Sequence, residues 1–254
     1  QNAKKALVIG GGDGGTAREL LKYQNLDVTM VEIDEVVIEA AKLHLPSISV
    51  SFSNPRLNLL IQDGSEYIKN YNGEKFDLII VDSTDFNQAI KLFTIQFYKN
   101  IKKNLKSDGI FVFNNDSVYS DKLKLIYKPV RKMKSLFKNV FPYQIFIPTY
   151  NGGHYTMMFC SDTIHPINNT IDFKSWCKLN LNTDYYNLGI HLGSFFLPNN
   201  VSKKLIDKLN PCLTDIQNKD KMCYHSLIDL YNVDFNILNK INLLMPILKE
   251  IAKM

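Results

Sequence analysis

Short, mostly apolar runs recur along the chain, each closed by glycine or polar residues and followed by a helical period. Ala6–Ile9, Asp27–Val31, Leu57–Ile61 and Phe76–Val81 are too short for helices and are bounded by turn signals, the pattern of strands buried in a parallel sheet. Gly109–Phe113 adds a fifth strand, Val140-Phe141 with Tyr143–Ile147 a sixth, and His154–Cys160 a seventh. The segments between them predict helices from Gly15 to Tyr23, from Glu35 to Leu45, after Ser65, from Gln88 to Leu105 and from Lys122 to Phe137. The last is expected to break or restart near Pro129, which removes a backbone donor. Strands alternating with helices predict an α/β fold.

Chemistry-bearing residues gather where these strands end. Gly10, Gly12 and Gly15 satisfy G-x-G-x-x-G at a strand-to-helix turn, where a new helix offers unpaired N–H groups. Asp13 sits inside that turn and would repel the pyrophosphate of a dinucleotide. The loop therefore favours a cationic adenosyl compound over NAD. Glu32 lies at the tip of the second strand, about 20 positions past the glycines, where an acidic residue bonds ribose hydroxyls. Asp34 also suits a helix cap. Asp63, in Gln62-Asp-Gly-Ser65, belongs to the same sheet edge and suits an adenine amino group. The fourth strand delivers Asp82-Ser-Thr-Asp85, two carboxylates suited to an amine, unless one of them only caps the following helix. The fifth ends in Asn114-Asn-Asp-Ser117, and Tyr150 stands in the loop Pro148–Gly153. His191, alone in an aromatic segment, reads as a structural histidine.

Composition narrows the class. With 254 residues and 45% hydrophobic content the chain can bury one substantial core. No apolar run approaches the ~18 residues of a membrane span. The five residues before the first strand leave no room for a signal peptide, and the missing initiator Met points to upstream sequence not represented here. Cys160, Cys177, Cys212 and Cys223 form no C-x-x-C and read as reduced thiols of a cytoplasmic protein. The five histidines are scattered, so no metal is expected. The net charge of +5 comes from dispersed lysines, none clustered at the glycine corner, which argues against nucleic acid.

From about Leu7 to Val201 these residues resemble the polyamine aminopropyltransferases, closest within them to the spermidine synthases. The resemblance rests on Gly10-Gly-Gly-Asp-Gly-Gly15, Val31-Glu-Ile-Asp34, Asp63-Gly64, Asp82-Ser-Thr-Asp85, Ile147-Pro-Thr-Tyr150 and Tyr186-Asn187 through Leu197-Pro198, in order. It implies a Rossmann-like fold of the S-adenosylmethionine methyltransferase type, a mainly parallel seven-stranded sheet with an antiparallel final strand. It further implies aminopropyl transfer from decarboxylated S-adenosylmethionine, a co-substrate rather than a cofactor, to putrescine, giving spermidine and 5′-methylthioadenosine. By the same resemblance Asp13 binds the ammonium of the aminopropyl arm. Gly10, Gly12, Glu32, Asp34, Asp63 and Gly64 form the nucleoside side. Asp82 orients and deprotonates the attacking amine, Tyr150 bonds the same nitrogen, and Asp85 lines the diamine wall. Asn114 and Asp116 stand where the family carries Gln and Glu, each shorter by one methylene. The full-length protein is expected to form a homodimer or homotetramer.

The chain also departs from that pattern. The family's small N-terminal β domain is not represented, and Phe86–Ile90 lacks the prolines of the family's gate loop, which bears on amine specificity and loop closure. Asn151-Gly152 and Tyr155 replace the more usual Pro-Ser and Trp. Two rival readings are methyl transfer from S-adenosylmethionine, which Asp13 disfavours because that cofactor carries a carboxylate, and a catalytically weak partner subunit. The domain reading is a catalytic unit over 1–206, a linker over 207–221 and a strand-helix extension over 222–254. His225–Tyr231 with Asp234 resembles the start of bacterial S-adenosylmethionine decarboxylase and stops before its pyruvoyl serine, so no decarboxylase activity is expected.

Overall fold

A computed structural model describes residues 3–83, 89–119, 124–150, 152–169 and 173–209. Seven strands form one sheet: β1 (Lys5–Gly10), β2 (Asp27–Glu32), β3 (Leu57–Ile61), β4 (Phe76–Asp82), β5 (Leu105–Ser117), β6 (Asn139–Phe146) and β7 (His154–Ser161). Their order is β3-β2-β1-β4-β5-β7-β6. The first five pair in parallel, and β7 runs antiparallel to both β5 and β6. The expected mainly parallel sheet with an antiparallel last strand is thus the observed one. Central β1 has helices over both faces, so Ala6, Leu7, Val8 and Ile9 are all buried and its apolar run is unbroken.

Among the described residues the connections contain α1 (Gly15–Leu21), α2 (Glu35–His44), α3 (Pro46–Ser49), α4 (Gly64–Asn70), α5 (Ile95–Asn104) and α6 (Lys124–Lys134), and α7 (Phe173–Lys178), α8 (Leu188–Ser194) and α9 (Asn199–Leu209) follow β7. One core packs Leu7, Ile79, Val81, Phe111 and Phe113 of the sheet against Phe97, Tyr98 and Ile101 of α5, Ile126, Val130 and Met133 of α6, and Val201 and Leu205 of α9. On the opposite face Ala17 and Leu21 of α1 pack on Ala6, Val8, Val28 and Met30.

Several expectations change in detail. The helix expected over 88–105 is a 3-10 turn, Ile90–Phe93, followed by α5. Thr94 separates them with extended backbone, its hydroxyl accepting from the Phe97 N–H at 3.2 Å. Strand β5 starts at Leu105 rather than Gly109, because buried Leu105 already pairs with Phe76 before a bulge resets the register to Leu78 and Ile110. Helix α6 runs through Pro129 without a break. Its apolar stripe of Ile126, Pro129, Val130 and Met133 is buried, and that packing outweighs the single backbone bond the ring removes. Helix α9 (Asn199–Leu209) continues across the expected boundary at 206/207. The extension over 222–254 lies outside the described residues.

Candidate active site

The sheet order reverses between β1 and β4, and there the glycine loop meets the end of β4. The two strands pair through Ile9 with Val81 and Gly10 with Asp82. The Gly11 N–H donates to the Asp82 carbonyl at 2.8 Å, which ties the loop to β4. Gly10 has φ +87°, and a Cβ there would lie 2.1 Å from the Asp82 carbonyl oxygen, so only glycine fits. The turn closes by the Gly14 N–H on the Gly11 carbonyl at 2.8 Å, and α1 starts at once. Exposed Asp13 is held at the crest of this turn by the Gly15 N–H, 2.8 Å from Oδ1.

The other strand ends supply further carboxylates along the same edge. Glu32, at the end of β2, is buried, and its Oε1 accepts from the N–H groups of Ile33 at 2.8 Å and Asp34 at 3.1 Å. Its Oε2 leans toward the loop, 3.0 Å from where a Cβ on Gly12 would stand. Glu32 and Gly12 therefore form one surface. Asp34 caps α2, accepting from the Val36 N–H at 2.9 Å. Asp63 caps α4 through the N–H groups of Ser65 and Glu66 and takes the Lys91 ammonium at 3.3 Å. Burial pushes the Asp63 carboxyl up, but those two amides and Lys91 outweigh it and hold it below its ordinary value. Gly64 opens α4 against the side chain of Ile9, leaving no room for a Cβ.

Asp82 differs from these. Its carboxylate turns to the α1 side, where the Thr16 hydroxyl donates to Oδ2 at 2.6 Å. Burial raises its pKa above the usual carboxylate range, the Thr16 hydroxyl pulls it back, and the neighbouring charge of Asp13 raises it further. A carboxylate so placed is ready to accept a proton from a cation brought to the loop. The helix-cap reading of Asp82 fails, since Thr94 caps α5 and Asp82 ends inside β4.

On β5 the Asn114 amide donates to the Ser83 carbonyl at 2.6 Å and joins the ends of β4 and β5. Among the described residues, buried Asn114 Oδ1, Ser83 Oγ and both side-chain amide atoms of Asn115 have no hydrogen-bond partner. Asp116 accepts from the Ser117 N–H, and its carbonyl accepts from the Thr156 hydroxyl at 2.7 Å. Tyr150 is about half exposed and stacks on Tyr155, with centroids 5.1 Å apart and planes at 27°. The Tyr155 hydroxyl in turn donates to the Asn115 carbonyl at 2.9 Å, which anchors the pair to β5. Asp85 lies outside the described residues. His191 bonds the Pro166 carbonyl at 2.8 Å and the Tyr186 hydroxyl at 3.0 Å, joining α8 to the preceding loop. Among the described residues no three His, Cys, Asp or Glu side chains are grouped to hold a metal, and no helix is long and apolar enough to cross a membrane.

Thr16 carries no motif and was not among the expected site residues. The signal available was its place in the first turn of a helix opening at the loop, three residues past Asp13. Which strand end that turn faces is set by sheet order.

Known proteins are similar to this chain over most of its length. Residues 1–175 match the Spermine/spermidine synthase domain. The polyamine aminopropyltransferase of Alkaliphilus metalliredigens is 44% identical over 209 residues, covering 80% of this chain and 72% of the relative. That of Clostridioides difficile is 42% identical over 210 residues, covering 82% and 74%. A crystal structure of spermidine synthase in complex with the transition-state analogue AdoDATO superposes with TM-score 0.76 at 38% identity, covering 80% of this chain and 70% of that one. The spermidine synthase of Thermotoga maritima gives 0.74 at 38% identity, covering 80% and 69%. With a reversed sheet joint, an aspartate inside the glycine loop and a half-buried aspartate beside it, the chain belongs to the spermine/spermidine synthase family of polyamine aminopropyltransferases.

Proposed function

We propose that this corner transfers the aminopropyl group of decarboxylated S-adenosylmethionine to putrescine. The observation that carries the reading is the placing of half-buried Asp82 and exposed Asp13 across one glycine turn. Two carboxylates there suit a reaction whose donor carries a sulfonium and an ammonium and whose acceptor arrives as an ammonium.

In this reading Asp13 takes the donor's ammonium, and Glu32, with Gly10 and Gly12, takes the ribose. Asp63 and Gly64 lie at the adenine, with Asp34 beside the ribose. An alkylammonium has a reference pKa near ~10.4 and no lone pair with which to attack. Asp82 removes one proton. The freed nitrogen pair forms a bond to the methylene next to sulfur, and the C–S bond breaks with its electrons returning to sulfur. Neutral 5′-methylthioadenosine leaves, and the proton stays on Asp82 until solvent takes it. Tyr150, Asp85, Asn114 and Asp116 are assigned to the acceptor side.

Cytoplasmic residence and assembly into a homodimer or homotetramer belong to the same reading. Among the described residues the free thiols of Cys160 and Cys177 support the first.

The test is product analysis with decarboxylated S-adenosylmethionine and a panel of diamines. 5′-Methylthioadenosine should form, fastest with putrescine. Its absence with every amine overturns the reading, and S-adenosylhomocysteine formed from S-adenosylmethionine would replace it with methyl transfer.

A further inference from the structure

The Thr16 hydroxyl donates to Asp82 Oδ2 at 2.6 Å, within the short range of hydrogen bonds to a charged oxygen. Two features aim it there. Gly14, at φ 84°, turns the chain so that α1 begins directly beside the end of β4. The Asp82 backbone is held by the Gly11 N–H at 2.8 Å, so the strand end cannot drift from that helix.

The neighbours of Asp82 make this bond consequential. From β1 come the backbones of Gly10 and Gly11. The loop contributes Asp13, a like charge. From β5 comes Asn114, whose amide is committed to the Ser83 carbonyl at 2.6 Å. Among the described residues Thr16 is the side chain that donates to Asp82. Burial and Asp13 both favour the protonated acid, and Thr16 opposes them.

We propose that Thr16 is a positioning residue for aminopropyl transfer: its hydroxyl occupies Oδ2, leaves Oδ1 for the acceptor amine, and holds Asp82 as the anion. This rests on the reading of Asp82 as the base.

The test follows the Asp82 carboxyl directly, by 13C NMR titration of the full chain labelled at aspartate, with the signal assigned by its loss in Asp82→Asn. Thr16→Val keeps the shape and removes the hydroxyl. Its Asp82 midpoint should rise by about one pH unit. Thr16→Ser should return it to the wild-type value. The acidic limb of kcat for 5′-methylthioadenosine formation should move with the midpoint, while KM for the donor stays unchanged. Thr16→Ala repeats the measurement without a branched side chain, so a packing fault in the valine variant is separated from loss of the hydroxyl.

A midpoint unchanged in both Thr16→Val and Thr16→Ala overturns the proposal, as does Thr16→Ser shifting as far as Thr16→Val. If Asp82→Asn keeps near-normal turnover, the base is another residue and that reading fails whatever Thr16 does. If Asp82→Asn is inactive while Thr16→Val titrates like the wild type, the Thr16 proposal fails alone.

Discussion

Asp82 and Asp63 both end strands at one sheet edge, yet their surroundings drive them in opposite directions. Asp63 meets two helix amides and a lysine, while Asp82 meets burial, one hydroxyl and another carboxylate. With Asp82 as the proposed base, Asp82→Asn keeps the size and removes the proton acceptor, so turnover should fall by at least ~10²-fold with little change in donor affinity. Steady-state kinetics and a donor titration check both parts. A raised carboxyl value also has a stability sign. The native state binds that proton more tightly than the unfolded chain, so Asp82 subtracts stability as pH rises from the unfolded value through the folded one. At neutral pH Asp82→Asn should therefore melt no lower than the wild type in a thermal scan. Asp13 should favour decarboxylated S-adenosylmethionine over the parent compound, whose carboxylate it repels. Calorimetry should show that preference shrinking in Asp13→Asn, and an equal preference in both proteins would remove this role.

At the scale of elements, Asp77 joins the starts of three strands. It accepts from the Lys4 and Lys5 N–H groups at 3.0 Å each and from the Lys106 ammonium at 3.0 and 3.1 Å. Burial pushes its carboxyl up, but the Lys4 amide, Lys106 and the Lys5 amide outweigh that and hold it below its ordinary value. Its stabilisation is present above the unfolded value near ~3.9 and is lost as pH falls through the folded one. Asp77→Asn should cost about 1–3 kcal/mol at pH 7, and much less once the wild-type carboxyl is protonated. Urea unfolding at both ends of that window reads the difference. Existence and type of the elements were legible wherever an apolar run met a glycine or aspartate signal, as at Ala6–Gly10 and Asp34–Glu35. Their limits were not. Pro129 looked like a break because propensity weighs the ring alone, whereas the buried stripe of α6 comes from contact with a distant core. Thr94 gives no cap signal in the sequence, because a lone threonine inside an apolar stretch announces no cap until the chain bends there.

Across the whole molecule, α9 packs onto the sheet, since Val201 and Leu205 are buried in its main core. Proteolysis within 210–221 should then release the tail without lowering nucleotide binding by the remainder. Loss of binding on cleavage would make the tail part of the core's packing. The sequence by itself determined the seven strands, their alternation with helices, and the residues at each strand end, because burial on both faces forces continuous apolar runs and a close-approach turn demands glycine. It also placed a carboxylate, Asp13, inside a phosphate-type turn, which on the proposed reading reverses the sign of the ligand that fits. Tertiary structure decided which ends meet. Parallel pairing of β1 with β4 set Gly10 beside Asp82, and only that placement brought Thr16, distant in sequence and without a motif, onto the carboxylate. Proximity across a sheet depends on strand order, and strand order is settled by how all the faces are buried together, which no local spacing encodes.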